Sequence, residues 1–109
     1  MSILKQHIKI YLDAFGYDET DYIPSEIGGK AVDIHHIVSR GMGGTKEKDR
    51  IENLMALTRE QHLKYGDKKI YMKMLLTTHW SFLERHGVEF DREYLRNEIN
   101  KYHENKHNN

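Results

Sequence analysis

The 109-residue chain has no cysteine, a single proline, one tryptophan and no excess of either charge, 17 Lys and Arg standing against 17 Asp and Glu. Without thiols, neither a disulfide framework nor a Cys-x-x-Cys zinc knuckle can brace the fold, so packing must supply its stability. No apolar run approaches the roughly 20 residues that a membrane-spanning helix requires. The opening MSILKQHIKIYLDAFGYDET carries charges where a secretory signal has an unbroken apolar stretch. A cytoplasmic protein with no membrane partner is expected. At this length one modest core fits and two do not.

Neutrality excludes a nonspecific polycation, so any affinity for nucleic acid has to come from how charge is distributed. The distribution is uneven. Between Asp13 and Asp33 six acids face Lys30 alone, whereas between Arg40 and Lys73 nine bases face five acids. That basic stretch also holds most of the residues suited to chemistry.

Ile3, Leu4, Ile8, Tyr11, Leu12 and Phe15 recur at helical spacing before Gly16, which predicts an amphipathic helix over 1–16. Residues 17–29, with Pro24 and Gly28-Gly29, read as a loop with a turn. The β-branched KAVDIHHIV predicts a strand from about Ala31 to Ile37, and SRGMGGTKEKDRIEN a long functional loop. A second short apolar segment, Leu54 to Leu57, leads to Thr58, which with Gln61 makes a capping box that opens a helix carrying His62. Gly66 and Asp67 interrupt the pattern, and further helix follows to Gly87 with a break expected at Thr77-Thr78. Asp91 should cap a last helix with Leu95, Ile99 and Tyr102 on one face, and 104–109 reads as a frayed tail. The Met and aromatic stripe from Tyr71 to Phe82 reads as core, with a dimer face as the other use of such a surface.

The informative constellation is Asp33-Ile34-His35-His36, then Asn53-Leu54, then His62. Imidazole is both the commonest neutral ligand for transition metals and the side chain best suited to proton transfer near neutrality. Successive strand residues point to opposite faces, so His35 and His36 cannot both ligate one ion from a regular strand. They can divide the work: if His35 shares a metal with His62, His36 is left to take a proton from water. Isolated histidines are ordinarily structural or surface groups, and His7, His79, His86, His103 and His107 are read that way.

Together VDIHHIVSRGMGG and IENLMALTREQH resemble the HNH, or ββα-metal (His-Me finger), nucleases, and most of all the small HNH endonucleases of bacteriophages and prophages. The likeness spans Val32 to Leu63 and follows the order acid, any residue, His-His, glycine loop, Asn-Leu, helix-opening His. It implies an α+β domain in which a ββα-metal core (30–66) is flanked by an N-terminal helix and by C-terminal helices (67–103). It further implies that His36 is the general base, that Asn53 holds His36 in position across the loop, and that His35 and His62 ligate one divalent ion. Asp33 would orient a ligand or join the metal shell. Arg40, Lys46, Lys48 and Arg50 would contact DNA phosphates. Mg²⁺ or Mn²⁺ suits such a site best, and its imidazoles would also accept Zn²⁺ or Ni²⁺.

The implied activity is hydrolysis of DNA phosphodiester bonds, as nicking or double-strand cleavage, in the cytoplasm of a bacterial host. A homodimer or a phage packaging partner would fit that setting. The alternative is a ββα module that binds nucleic acid without cleaving it. Two departures from the family pattern stand out: the missing Cys-x-x-Cys knuckles, and Gly66 at the position, four after His62, where many members carry a third ligand.

Overall fold

In the computed structural model, which describes residues 4–39 and 46–102, the elements follow the expected order. They are α1 (Gln6–Phe15), β1 (Asp33–His36), two 3₁₀ turns (Lys46–Lys48 and Ile51–Asn53), β2 (Leu54–Leu57), α2 (Arg59–Tyr65), α3 (Lys69–Arg85) and α4 (Arg92–Lys101). The fold is α+β, with four helices and one two-stranded antiparallel sheet among the described residues. Asp33 pairs with Leu57, and His36 with Leu54. Arg40 and the tail at 104–109 lie outside the described residues. No helix among them is long and apolar enough to cross a membrane.

A two-stranded ribbon is marginal in water, so helices must cover it. Every position of β2 is buried, which is why LMAL is apolar throughout instead of alternating. Leu54 and Ala56 pack with Tyr11 of α1 and with Ile34. On the other face Met55 and Leu57 join Met72, Leu75, Leu76 and Leu83 of α3 and Leu95 of α4. Most of the Met and aromatic stripe is therefore core, although Met74 remains exposed.

Three local expectations change. The regular strand is shorter than Ala31 to Ile37, yet Val32 N–H still donates to Leu57 O (3.0 Å) and Ile37 N–H to Asn53 O (2.8 Å). Residues 46–48 and 51–53 form 3₁₀ turns inside the segment read as a loop. No break occurs at Thr77-Thr78: the Thr77 hydroxyl donates to Lys73 O (2.7 Å), and buried Leu75, Leu76 and His79 hold α3 straight through the β-branched pair. The caps are as expected. Thr58 and Gln61 form the full capping box, and the Asp91 carboxylate accepts from Tyr94 N–H.

Between the layers lies a buried ion pair. Glu26, in the acidic loop, accepts from the Tyr11 hydroxyl (2.8 Å) and from His79 Nδ1 (2.8 and 2.9 Å), and its own N–H donates to Ala56 O (2.9 Å). His79 Nε2 donates to Ile51 O (2.6 Å). With Glu26 ionised both ring nitrogens face acceptors, an arrangement that the imidazolium form satisfies in full. Burial by itself pushes the His79 pKa down, but the facing Glu26 carboxylate outweighs it and the value is raised. Burial and the same carboxylate push the Tyr11 phenol far up.

Replacing His79 with Ala leaves Glu26 buried without its cation and should cost about 3–5 kcal/mol in urea unfolding. A raised folded pKa means that this contribution is present in full below the ordinary value of 6.5 and is lost as pH rises through the folded value. The gap between wild type and variant should therefore narrow as the solution is made alkaline. A gap independent of pH would show that His79 is neutral in the fold.

Candidate functional site

Strand alternation partitions the β1 side chains between two neighbours. Asp33 and His35 meet α2, where the His35 and His62 rings lie 4.5 Å apart between centroids. Ile34 and His36 meet α1, where the His36 ring lies 4.6 Å from that of His7. The capping box fixes where α2 begins and so where His62 stands relative to the strand.

His62 Nδ1 is 3.0 Å from Asp33 Oδ2 and, facing a carboxylate, donates. That leaves Nε2 as the nitrogen with a free lone pair. Arg59 grips the same carboxylate with two bonds of 2.8 Å, and these hold the Asp33 pKa below its usual range against the opposing effect of burial. Asp33 is thus engaged by Arg59 and His62 together, an arrangement that orients the His62 ring. His35 is 4% exposed, and its Nε2 has no hydrogen-bond partner. Burial, helped by the neighbouring His62 ring, pushes its pKa down to about 4, so the imidazole is neutral at neutral pH. An unpaired buried nitrogen costs about 1–3 kcal/mol, a cost that a ligand bound there would remove.

His36 is held differently. Its Nε2 lies 2.7 Å from Asp49 Oδ1 and, facing a carboxylate, donates to it, so Nδ1 is the nitrogen that Asp49 does not engage. Asn53 is 2% exposed, and its side chain bonds to the backbone on either side of the loop. Its Oδ1 accepts from Val38 N–H (2.8 Å), and its Nδ2 donates to Val38 O (3.0 Å) and Lys48 O (3.1 Å). The amide thereby clips both ends of the β1–β2 connection, two residues after His36 and one before Asp49. Any hold it has on His36 passes through the backbone.

Asp33, His35, His36 and His62 all line one cleft of about 690 Å³, and Lys5, His7 and Asp67 complete its walls. Lys46 and Lys48 do not line the cleft, and Arg50 is turned away from it. The Arg50 guanidinium donates to Glu52 (2.7 Å), reaches Asp91 (3.6 Å) and stacks 3.7 Å over the Tyr94 ring, so it braces α4 against the second 3₁₀ turn. Among the described residues no group of three His, Cys, Asp or Glu side chains is arranged to hold a metal ion. The protein presents the two imidazoles of His35 and His62, one of them orphaned.

Gly66 explains why no side chain follows at the next turn. A Cβ there would come within 2.5 Å of His62 O, 2.8 Å of His62 Cδ2 and 3.2 Å of His35 Cε1. The glycine is what lets the backbone pass beneath the two rings. Asp49, Arg59 and Asp67 were not singled out as site residues in the sequence, and His7 was read as a structural or surface group. Asp49 and Arg59 are ordinary members of charged runs, and the period-2 direction of His36 toward an upstream helix was the one available hint of His7.

The chain matches no protein-family model, and no curated protein or solved structure matches it.

Replacing Asn53 with Ala strands the Val38 and Lys48 groups in a buried setting and should lower stability by about 2–4 kcal/mol in chemical denaturation. A change under about 0.5 kcal/mol, the level of an ordinary surface substitution, would show that the clip is dispensable.

Proposed function

We propose that the chain is a metal-dependent endonuclease of the HNH type that hydrolyses DNA phosphodiester bonds. One observation carries the reading: a buried imidazole with an unpartnered Nε2 lies 4.5 Å, between ring centroids, from a second imidazole whose Nδ1 is held by a carboxylate, and a third imidazole stands beside them on the same cleft. Two nitrogen donors and an open cleft with room for water and a phosphate fit a single divalent ion held by His35 and His62. When bound, such an ion supplies positive charge to a scissile phosphate and to its departing 3′ oxygen.

The remaining work falls to this chain's own groups. Asp49 holds Nε2–H of His36 and thereby directs the Nδ1 lone pair to a water that attacks phosphorus in line. The proton passes from water to Nδ1, the bond to the 3′ oxygen breaks, and solvent returns a proton to that oxygen. The products are a 5′-phosphate and a 3′-hydroxyl. Arg59 keeps Asp33 ionised, and Asp33 keeps His62 in the tautomer that frees Nε2. A setting in phage DNA processing or packaging, as a homodimer or with a packaging partner, rests on the sequence resemblance. The second reading, a module that binds without cleaving, draws on the presence of only two imidazoles where many members of the family have three ligands.

Chelator-stripped protein given Mg²⁺, Mn²⁺, Ni²⁺ or Zn²⁺ should nick or linearise a supercoiled plasmid. The His36→Ala variant should lose about 100-fold or more of that rate. Cleavage undiminished in the variant would remove His36 from the base role. Duplex binding without cleavage under any ion would establish the binding module instead.

A further inference from the structure

Position 66 is closed to a side chain, and the next residue, Asp67, is the one non-glycine among the described residues with positive φ (58°). Aspartate enters this left-handed region more readily than most residues, though still at a cost. The turn carries the chain from α2 into α3 and sets Asp67 in the wall of the cleft shared by His35 and His62. Its carboxylate is exposed and makes no hydrogen bond or ion pair among the described residues, and its charge is felt at the His35 ring. The orphaned Nε2 of His35 is an independent sign that this corner awaits a ligand.

The charge balance sharpens the point. Asp33 is matched by Arg59, and Asp49 is tied to His36. Asp67 is then the carboxylate of the cleft wall without an ion-pair partner among the described residues, since Lys5, the cation on the same walls, makes no ion pair with it. Hard ions such as Mg²⁺ and Mn²⁺ prefer oxygen and keep several waters, often held by carboxylates that do not touch the metal. We propose that Asp67 is the third protein group of the cation site and completes the His35 and His62 pair by binding the ion's water. This rests on the metal reading above. Contact through water follows from the absence of any three-group arrangement close enough to ligate directly.

Two substitutions remove the carboxylate and keep the turn. Asp67→Asn is isosteric and tolerates the left-handed conformation, and Asp67→Gly relieves it. Calorimetric titration of metal-free protein with Mn²⁺ should show affinity about tenfold weaker in both variants. Folding should be intact, with the melting temperature of Asp67→Gly equal to or above that of wild type. Ni²⁺, which takes more of its binding from imidazole, should lose less than Mn²⁺. Glu93→Gln, on α4 and outside the cleft, should leave both affinities unchanged. Wild-type Mn²⁺ affinity in both Asp67 variants would overturn the inference and leave a two-histidine site. No binding of either ion by wild type would overturn the metal reading itself, and this inference with it.

Discussion

The carboxylate of Glu26 is the point on which the rest of the structure depends. Its oxygens take the Tyr11 hydroxyl and the His79 ring, its N–H holds Ala56, and His79 passes on to Ile51. One acidic residue therefore ties α1, β2, α3 and the second 3₁₀ turn together. A buried charge is tolerated only when its partners satisfy it, so these elements can dock in one relative arrangement and few others. The cleft lies between one of them, α1, and the face formed by β1 and α2. With α1 held at Tyr11, one turn further toward its start His7 faces His36, and the strand that carries the candidate site has a fixed opposite wall.

Within that frame three imidazoles from one motif acquire different properties from their surroundings. His62 has a carboxylate behind it, His36 has another beside it, and His35 has burial and no partner for its Nε2. Strand alternation alone separates His35 from His36, sending one to α2 and the other to α1. On the proposed reading this is how ligand and base stay apart while being neighbours in sequence. The carboxylates come from different places, Asp33 from the same strand and Asp49 from the far end of the loop. Asn53 matters because it fixes that far end.

Much of this was legible beforehand, for identifiable reasons. Helix starts announced themselves through Thr58, Gln61 and Asp91, because capping is a local bond between residues three apart. The pairing of His35 with His62 could be anticipated because the motif sets the spacing of strand and helix. Long-range electrostatics could not. Nothing local marks Glu26 and His79, 53 residues apart, as an ion pair, and an isolated histidine in a helix gives no sign of its burial. Arg50 reads as a free cation in sequence, yet Glu52, Asp91 and Tyr94 claim it in the fold. The apparent break at Thr77-Thr78 is overruled by the burial of its neighbours.

The lack of cysteine has a consequence for how stability and site geometry are linked. A thiolate knuckle would brace a ββα unit from within, independently of neighbouring helices. Here the ribbon depends on α1 and α3, and these are fastened at one buried carboxylate. Loosening that carboxylate frees α1, and with it the ring of His7 that lies against His36. A substitution at Glu26 or His79 would therefore disturb the cleft even though neither residue lines it. In a domain of this size, the core that holds the fold and the scaffold that aims the imidazoles are the same set of contacts.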